Sequence, residues 1–124
     1  MKMLIIKAWI MLLHLDIVAK FRGFSVLHTK VEQEPRVLDP YYALSAAEVS
    51  RAVDIASVFY FKRVLCLQRS AATAILLRKL GWPADMVIGA RLRPSAFHAW
   101  VEVAGEIIND KPYVREMYQV LKRC

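Results

Sequence analysis

The first part of the chain repeats apolar side chains at three- and four-residue steps, which is the period of an α-helix. Residues 3–21 contain neither Pro nor Gly, and Gly23 stands where a helix can end. The pattern predicts one long helix that is apolar on more than one face, followed by a short segment of undetermined type over residues 24–30. We favour core packing for this helix over docking on a partner or a membrane. The periodic positions are Ile6, Ile10, Leu13 and Ile17.

A second helix is predicted after a polar connection. Residues 29–42 hold Pro35 and Pro40 among charged side chains and are predicted to form a loop. Ser45 and Glu48 have the spacing of a capping box, in which each side chain satisfies a free backbone N–H of the first helical turn. The helix is expected to run to about residue 62 on one apolar stripe. The stripe consists of Val49, Ala52, Val53, Ala56, Phe59 and Tyr60.

The second half of the chain changes from helical to strand patterning. The run from Cys66 to Leu80 is rich in Ala, Leu and Arg and is followed by Gly81 and Pro83, which predicts a helix with a defined end. Three β-rich segments follow, and the second and third are expected to form a hairpin. The predicted strands are Asp85–Leu92, Ala96–Val103 and Glu106–Asp110.

Composition limits the fold and the partners. A chain of 124 residues fits one domain, residues 1–124, which we divide into a helical part (1–64) and a core (65–124) of α+β class. Apolar residues make up 57% of the chain, and Trp9 and Trp82 are assigned to its core. The net charge of +7 is spread along the chain and suits an acidic peptide or protein. Nucleic acid is disfavoured because no basic stripe or known binding motif is present.

The two cysteines and the N-terminus indicate the compartment. Cys66 and Cys124 do not make a disulfide framework, which favours a reducing environment. The start of the chain resembles a signal peptide only superficially, because Lys7, His14 and Asp16 interrupt the apolar run. The same interruptions leave no stretch of the roughly 18 to 20 apolar residues that a membrane-spanning helix needs. We therefore expect a cytoplasmic protein.

Cys66 is predicted at the first position of a helix, where free N–H groups and the helix dipole stabilise a thiolate. Its backbone N–H could also help to bind an oxyanion. Between Leu65 and Leu67, however, a lone cysteine is more often buried and inert. Gln68 is a poor second oxyanion donor because it points along the helix. Arg69 is assigned to a structural ion pair with a carboxylate, ahead of contact with an acidic peptide.

His98 and Asp110 are predicted to face one another across the hairpin. Ala104 resists the positive φ of a two-residue turn, so we expect a three-residue loop with Gly105 in the left-handed conformation. That register places His98 opposite Asp110 on one face of the sheet, whereas a two-residue loop would put them on opposite faces. Separately, a structural histidine and a turn-capping aspartate are the more common roles. Together they can orient a base for a thiol.

A metal site and two other histidines are set aside. Zinc binding through Cys66, His98 and Asp110 is disfavoured because the short paired-ligand spacing of zinc sites is absent. His14 and His28 are assigned structural roles. No metal and no organic cofactor is expected.

Five stretches in the second half of the chain carry a family resemblance. They are Cys66-Leu67-Gln68-Arg69-Ser70, Leu76-Leu77-Arg78-Lys79-Leu80-Gly81-Trp82-Pro83-Ala84, Val87-Ile88-Gly89-Ala90-Arg91, Phe97-His98-Ala99-Trp100-Val101-Glu102-Val103 and Ile108-Asn109-Asp110. Through them, the part from Cys66 to Leu121 closely resembles the transglutaminase-like peptidases of lasso-peptide biosynthesis, which remove the leader from a ribosomally made precursor. The resemblance implies a papain-like core with a Cys-His-Asp triad, in which Cys66 is the nucleophile, His98 the base and acid, and Asp110 the orienter.

The resemblance also implies partners. Fused family members carry an N-terminal leader-recognition domain, so this sequence resembles the split form that works with a separate small leader-recognition protein. The precursor leader peptide is the implied substrate, and an ATP-dependent macrolactam cyclase is the implied pathway partner. The alternatives are a transglutaminase-like acyltransferase or deamidase with the same triad, a non-catalytic peptide-binding module, and a membrane-associated small protein.

Overall fold

The computed structural model describes residues 2–35, 45–92 and 94–124. The elements in chain order are α1 (Lys2–Arg22), α2 (Val26–Gln33), α3 (Ala46–Val58), α4 (Cys66–Lys79), β1 (Ala84–Leu92), β2 (Ser95–Val103), β3 (Glu106–Ile107), α5 (Val114–Met117) and β4 (Gln119–Arg123). Within the described ranges the strands form one antiparallel sheet in the order β3-β2-β1-β4. The α+β class predicted from the sequence is confirmed.

Helix α1 is the long helix predicted from the apolar period, but a different stripe packs in the core. It ends at Gly23, which has a φ of 86° and donates its N–H to the Ala19 carbonyl at 2.8 Å. Ile6, Ile10 and Ile17 are 57%, 56% and 47% exposed. Two apolar stripes are therefore present, and only the packing against α3 and α4 selects the buried one. The buried stripe is Leu4, Ala8, Leu12, Leu15 and Ala19.

The loop predicted over residues 29–42 begins too early. Helix α2 continues to Gln33 because Leu27 and Val31, one turn apart, bury their side chains in the core. The helix ends at Gln33, two residues before Pro35, and Glu34 between them is extended with a ψ of 117°. This agrees with the steric clash that Pro imposes on the residue before it. Residues 36–44 of the predicted loop, with Pro40, lie outside the described residues.

Helix α3 begins as predicted and ends early. The Ser45 hydroxyl accepts the backbone N–H of Glu48 at 3.1 Å, which is one half of the predicted capping box. The helix stops at Val58, about a turn before the expected end near residue 62. Of the predicted stripe, Phe59 is 74% exposed, whereas Tyr60 is buried and donates its hydroxyl to Asp16 of α1 at 3.0 Å.

Helices cover one face of the sheet. Met86 of β1 and Val101 of β2 share a buried cluster with residues of α1 to α4, and Trp9 and Trp82 pack against it. The other face carries a smaller cluster formed by Val87, Trp100 and Val114. Because successive side chains of a strand point to opposite faces, His98 shares the face of Trp100, and Ala99 shares the face of Val101.

Two elements at the end of the chain were not predicted, and one strand is shorter than expected. The third strand ends at Ile107 instead of Asp110, and the chain then forms α5 and β4. Strand β4 pairs with β1, with a shift of register between Ile88 and Gly89. Among the described residues, no helix has the length and apolar character to cross a bilayer.

Candidate active site

Cys66 is the first residue of α4, as predicted. Leu65 precedes the helix with φ −78° and ψ 156°, and no side chain caps the first turn. The first turn also contains no acidic residue, so its N–H groups and the helix dipole are not neutralised locally. Cys66 is partly exposed rather than buried. The helix terminus therefore presents a thiol and unpaired N–H donors at an accessible position.

His98 and Asp110 are in direct contact through Nε2 of the imidazole and Oδ2 of the carboxylate. Both side chains are mostly shielded from water, at 22% and 14% exposure. The other carboxylate oxygen, Oδ1, accepts the backbone N–H of Lys111 at 2.7 Å. Asp110 thus caps its turn and holds the histidine at the same time. Among the described residues, the structure joins His98 to Asp110 but contains no hydrogen bond between the Cys66 thiol and His98.

The turn that brings the pair together is not the predicted one. Glu102 pairs with Ile107 and Val103 with Glu106, which leaves a two-residue loop. Ala104 adopts a φ of 51° and Gly105 one of 82°. The prediction of a three-residue loop was therefore wrong, because Ala104 accepts the left-handed conformation despite its Cβ. Continued as a regular strand, this register would place Asp110 opposite Ala99 and on the wrong face.

The pair forms because β3 stops after two residues. The Ile108 N–H donates to the Val101 carbonyl at 2.9 Å, as in a ladder. At the next step the side-chain oxygen of Asn109 accepts the Val101 N–H at 2.8 Å. A side chain thus replaces the backbone ladder, the chain bends away from β2, and the Asp110 carboxylate reaches His98.

A buried serine connects this bend to the helix that carries Cys66. The Ser70 hydroxyl donates to the Ala99 carbonyl at 3.0 Å and accepts the side-chain N–H of Asn109 at 3.0 Å. Ser70 is fully buried, and Asn109 is 9% exposed. Three segments meet at this hydroxyl: α4, β2 and the bend before Asp110.

Two contacts define how α4 lies along β2. The Ser70 hydroxyl bonds to the Ala99 carbonyl, and Arg78 donates its Nε–H to the Ala84 carbonyl at 2.8 Å. Ala84 of β1 is the strand partner of Val103 in β2. The step from Ser70 to Arg78 is about 12 Å of helix and that from Ala99 to Val103 about 13 Å of strand, which agrees with two elements that run in the same direction.

The same alignment locates the thiol end of α4. Cys66 lies one turn before Ser70, about 6 Å along the helix. Phe97 lies two residues before Ala99, about 6.6 Å along the strand. From these spacings we expect the Cys66 end of α4 at the Phe97–His98 end of β2.

Aromatic rings hold the other side of His98. Its imidazole stacks on Tyr118 with ring centroids 5.2 Å apart, and Trp100 lies 6.1 Å away. The guanidinium of Arg91 lies over the Tyr118 ring, 5.3 Å from its centroid. Gly89, the strand partner of His98, leaves the room for this packing.

A Cβ at Gly89 would come within 2.9 Å of both the Trp100 ring and the Tyr118 Cβ. Real Cβ atoms do not approach other atoms so closely, so any side chain at this position would displace the rings beside His98. The glycine is thus required by close packing and not by its backbone conformation.

Sequence reasoning did not assign roles to four of these residues. Three of them lie within the motif stretches, but their contacts depend on how distant segments meet: Ser70, Gly89 and Asn109. The fourth, Tyr118, precedes a strand that was not predicted. The available signal for Ser70 was its helical spacing from Ala74 and Leu77, which places a hydroxyl on an apolar face of the helix.

The remaining residues of the first turn of α4 have structural contacts. Gln68 is buried and donates its side-chain N–H to the Leu12 carbonyl of α1 at 2.8 Å. Arg69 pairs with Asp54 of α3 at 3.8 Å, which is an ion pair of the kind expected for this arginine. The described residues contain no group of three or more His, Cys, Asp or Glu side chains arranged to hold a metal ion.

Comparisons with known proteins identify the family of the chain. A family model described as the transglutaminase-like superfamily matches residues 9–123. Over 56 residues the chain is 41% identical to the microcin J25-processing protein McjB of Escherichia coli, a stretch that covers 45% of this chain and 27% of McjB. No solved structure matches the chain significantly. Because the family model spans nearly the whole sequence, the chain belongs to the transglutaminase-like superfamily.

Proposed function

We propose that this protein is a cysteine peptidase that cleaves the leader from a lasso-peptide precursor. The observation that carries the proposal is the contact between His98 and Asp110. Cys66 begins the helix whose Ser70 bonds to Ala99, the residue that follows His98. The relation to McjB, a processing protein, supports a peptide precursor as substrate. The lasso-type motifs around Cys66 and His98 support the leader–core bond as the bond that is cleaved.

In the proposed mechanism, Asp110 holds Nε2 of His98, so Nδ1 is the ring nitrogen that can take the thiol proton. The resulting thiolate attacks the carbonyl carbon of the scissile bond, and the amine of the core peptide leaves with the proton from His98. A thioester then joins the leader to Cys66. Water, activated by His98, hydrolyses it to a leader carboxylate and regenerates the thiol.

The negative oxygen of each tetrahedral intermediate needs N–H donors. The backbone N–H of Cys66 is a first-turn group of α4, which has no side-chain cap. We assign it as one donor to the oxyanion, where preorganised N–H groups typically contribute about 3 kcal/mol to transition-state stabilisation.

The test is leader release from a purified precursor peptide in the presence of a leader-recognition protein, followed by mass spectrometry. Wild-type protein is expected to release the leader, and Cys66→Ala to abolish release while it still folds. His98→Ala and Asp110→Asn are expected to slow release strongly, because each leaves the thiol without its oriented base. Cys124→Ser, which alters the other cysteine, serves as the matched control and is expected to keep activity.

The same experiment separates the remaining functions of the superfamily. A deamidase or acyltransferase would release ammonia from a glutamine side chain and leave the precursor backbone intact. A non-catalytic binding module would release no leader in this purified system, either as wild type or as Cys66→Ala. Either result would contradict the proposed peptidase activity.

A further inference from the structure

We propose that Ser70 and Asn109 are positioning residues that set the thiol-bearing helix against the histidine strand and hold Asp110 within reach of His98. The inference rests on the proposed cysteine chemistry and names two residues that this chemistry has not yet used. We call this pair the Ser70–Asn109 clamp.

Each polar side-chain atom of the clamp has a hydrogen-bond partner, and the bonds join three segments of the chain. Its Ser70 hydroxyl uses its single proton toward Ala99 and a lone pair toward Asn109, at 3.0 Å each. The amide of Asn109 uses its nitrogen toward Ser70 and its oxygen toward the Val101 N–H at 2.8 Å. Because both residues are buried, water cannot readily replace a lost partner.

Each end of the clamp is adjacent to a proposed catalytic residue. Ser70 is one helical turn after Cys66, and its acceptor Ala99 directly follows His98. Asn109 directly precedes Asp110, and it ends the β3 ladder so that the carboxylate turns toward the imidazole. The loss of one hydroxyl would therefore loosen all three groups relative to one another.

The clamp is not needed to attach α4 to the rest of the fold. Gln68 bonds the same helix to α1, and Arg78 bonds it to α2 and β1. These contacts leave α4 packed when Ser70 is changed. A positioning role therefore predicts a larger effect on the chemistry of Cys66 than on folding.

The experiment measures the rate at which iodoacetamide alkylates Cys66 as a function of pH, read by peptide mass mapping so that Cys124 does not contribute. A thiol paired with a histidine reacts as a thiolate at about pH 6, where an ordinary thiol with a pKa of roughly 8.5 is protonated. Wild type is expected to show this reactivity, and His98→Ala to lose it.

Ser70→Ala and Asn109→Ala are expected to lower the alkylation rate at about pH 6 by roughly tenfold or more, since small misplacements of reacting groups have large effects on rates. At about pH 10, where thiols are ionised, the rates are expected to equal that of wild type. Ser70→Thr keeps the hydroxyl and is expected to restore the reactivity at low pH. Ser57→Ala, which removes a hydroxyl bonded to Val53 within α3, is the matched control and is expected to behave as wild type.

The outcomes distinguish this inference from the proposed function. If Ser70→Ala and Asn109→Ala keep the wild-type profile while His98→Ala loses it, the clamp is overturned and the cysteine chemistry stands. If wild type and His98→Ala share one profile, both are overturned. If the alanine variants do not fold, Asn109→Asp keeps the acceptor for Val101, and an unchanged profile in that variant also overturns the clamp.

Discussion

At the scale of the residue, Glu102 shows how the face of the sheet that carries His98 is held in place. Its carboxylate is 3% exposed, accepts the indole N–H of Trp100 at 2.9 Å, and pairs with Arg123 at 2.8 Å. Trp100 in turn packs against Gly89, beside the imidazole. Burial by itself would raise the pKa of Glu102, but the bonds from Arg123 and Trp100 and the charges of Arg123 and Arg115 together lower it.

This shift predicts a pH dependence of stability. A carboxyl whose pKa is lowered by folding stabilises the protein above its unfolded pKa of about 4.5, and this stabilisation is lost as the pH falls through the lower pKa of the folded state. We therefore expect the free energy of unfolding to decrease as the pH is lowered from about 4.5. Glu102→Gln is expected to make this decrease smaller. Urea denaturation between about pH 3 and 7 measures it. Glu116→Gln, at an exposed position, is the control, and equal slopes for wild type and Glu102→Gln would contradict the prediction.

At the scale of the element, the hairpin between β2 and β3 depends on an unfavourable residue. Ala104 has a φ of 51°, a conformation that costs an L-residue with a Cβ roughly 1–2 kcal/mol. The two-residue turn is nevertheless adopted, because its register buries Val101 and Val103 against the helices and lets Asn109 meet Ser70. Tertiary contacts thus outweigh a local preference that had favoured a longer loop.

Replacing Ala104 should stabilise the protein without changing the register. Asn tolerates the left-handed conformation and, followed by Gly105, forms the sequence preferred in this type of turn. Ala104→Asn is expected to raise the free energy of unfolding by about 1 kcal/mol. Gly105→Ala is the opposite control, because it places a Cβ at a φ of 82° and is expected to lower stability. Thermal and urea denaturation of the two variants measure both effects, and a loss of stability in Ala104→Asn would contradict this view of the turn.

At the scale of the whole molecule, one buried arginine joins segments that are distant in sequence. Arg78 is 2% exposed and donates to the carbonyls of Val31, Ala84 and Cys124. It also approaches Asp85 at 3.8 Å. The C-terminal end of α4 is thereby tied to α2, to the start of β1 and to the end of β4, which keeps the sheet aligned along the helix that begins at Cys66.

Removal of this guanidinium should destabilise the entire fold. Arg78→Ala removes a buried donor from the carbonyls of Val31, Ala84 and Cys124, and we expect the free energy of unfolding to fall by about 3 kcal/mol or more. Lys79→Ala is the matched neighbour, since Lys79 makes an exposed ion pair with Glu34 at 3.3 Å, for which a change of about 1 kcal/mol or less is expected. Urea denaturation compares the two. A loss below about 1 kcal/mol for Arg78→Ala would show that other contacts hold these segments.

The sequence predicted the elements that local signals define. The period of α1, the Ser45 cap and the helix that begins at Cys66 were each confirmed, as were the first two strands. These features depend on residues within one or two turns, so the local pattern contains the information. The motifs around Cys66 and His98 were also sufficient to indicate the transglutaminase-like family, to which the chain belongs.

Features that depend on distant segments were decided only by the tertiary structure. Which stripe of α1 is buried depends on where α3 and α4 pack, and β4 acquires its partner only when β1 is in place. The contact between His98 and Asp110 was predicted from a register that the turn does not adopt. It forms because Asn109 ends the β3 ladder and bonds to Ser70, and no local pattern contains the energy of such a contact, since it exists only between segments that the fold has already brought together.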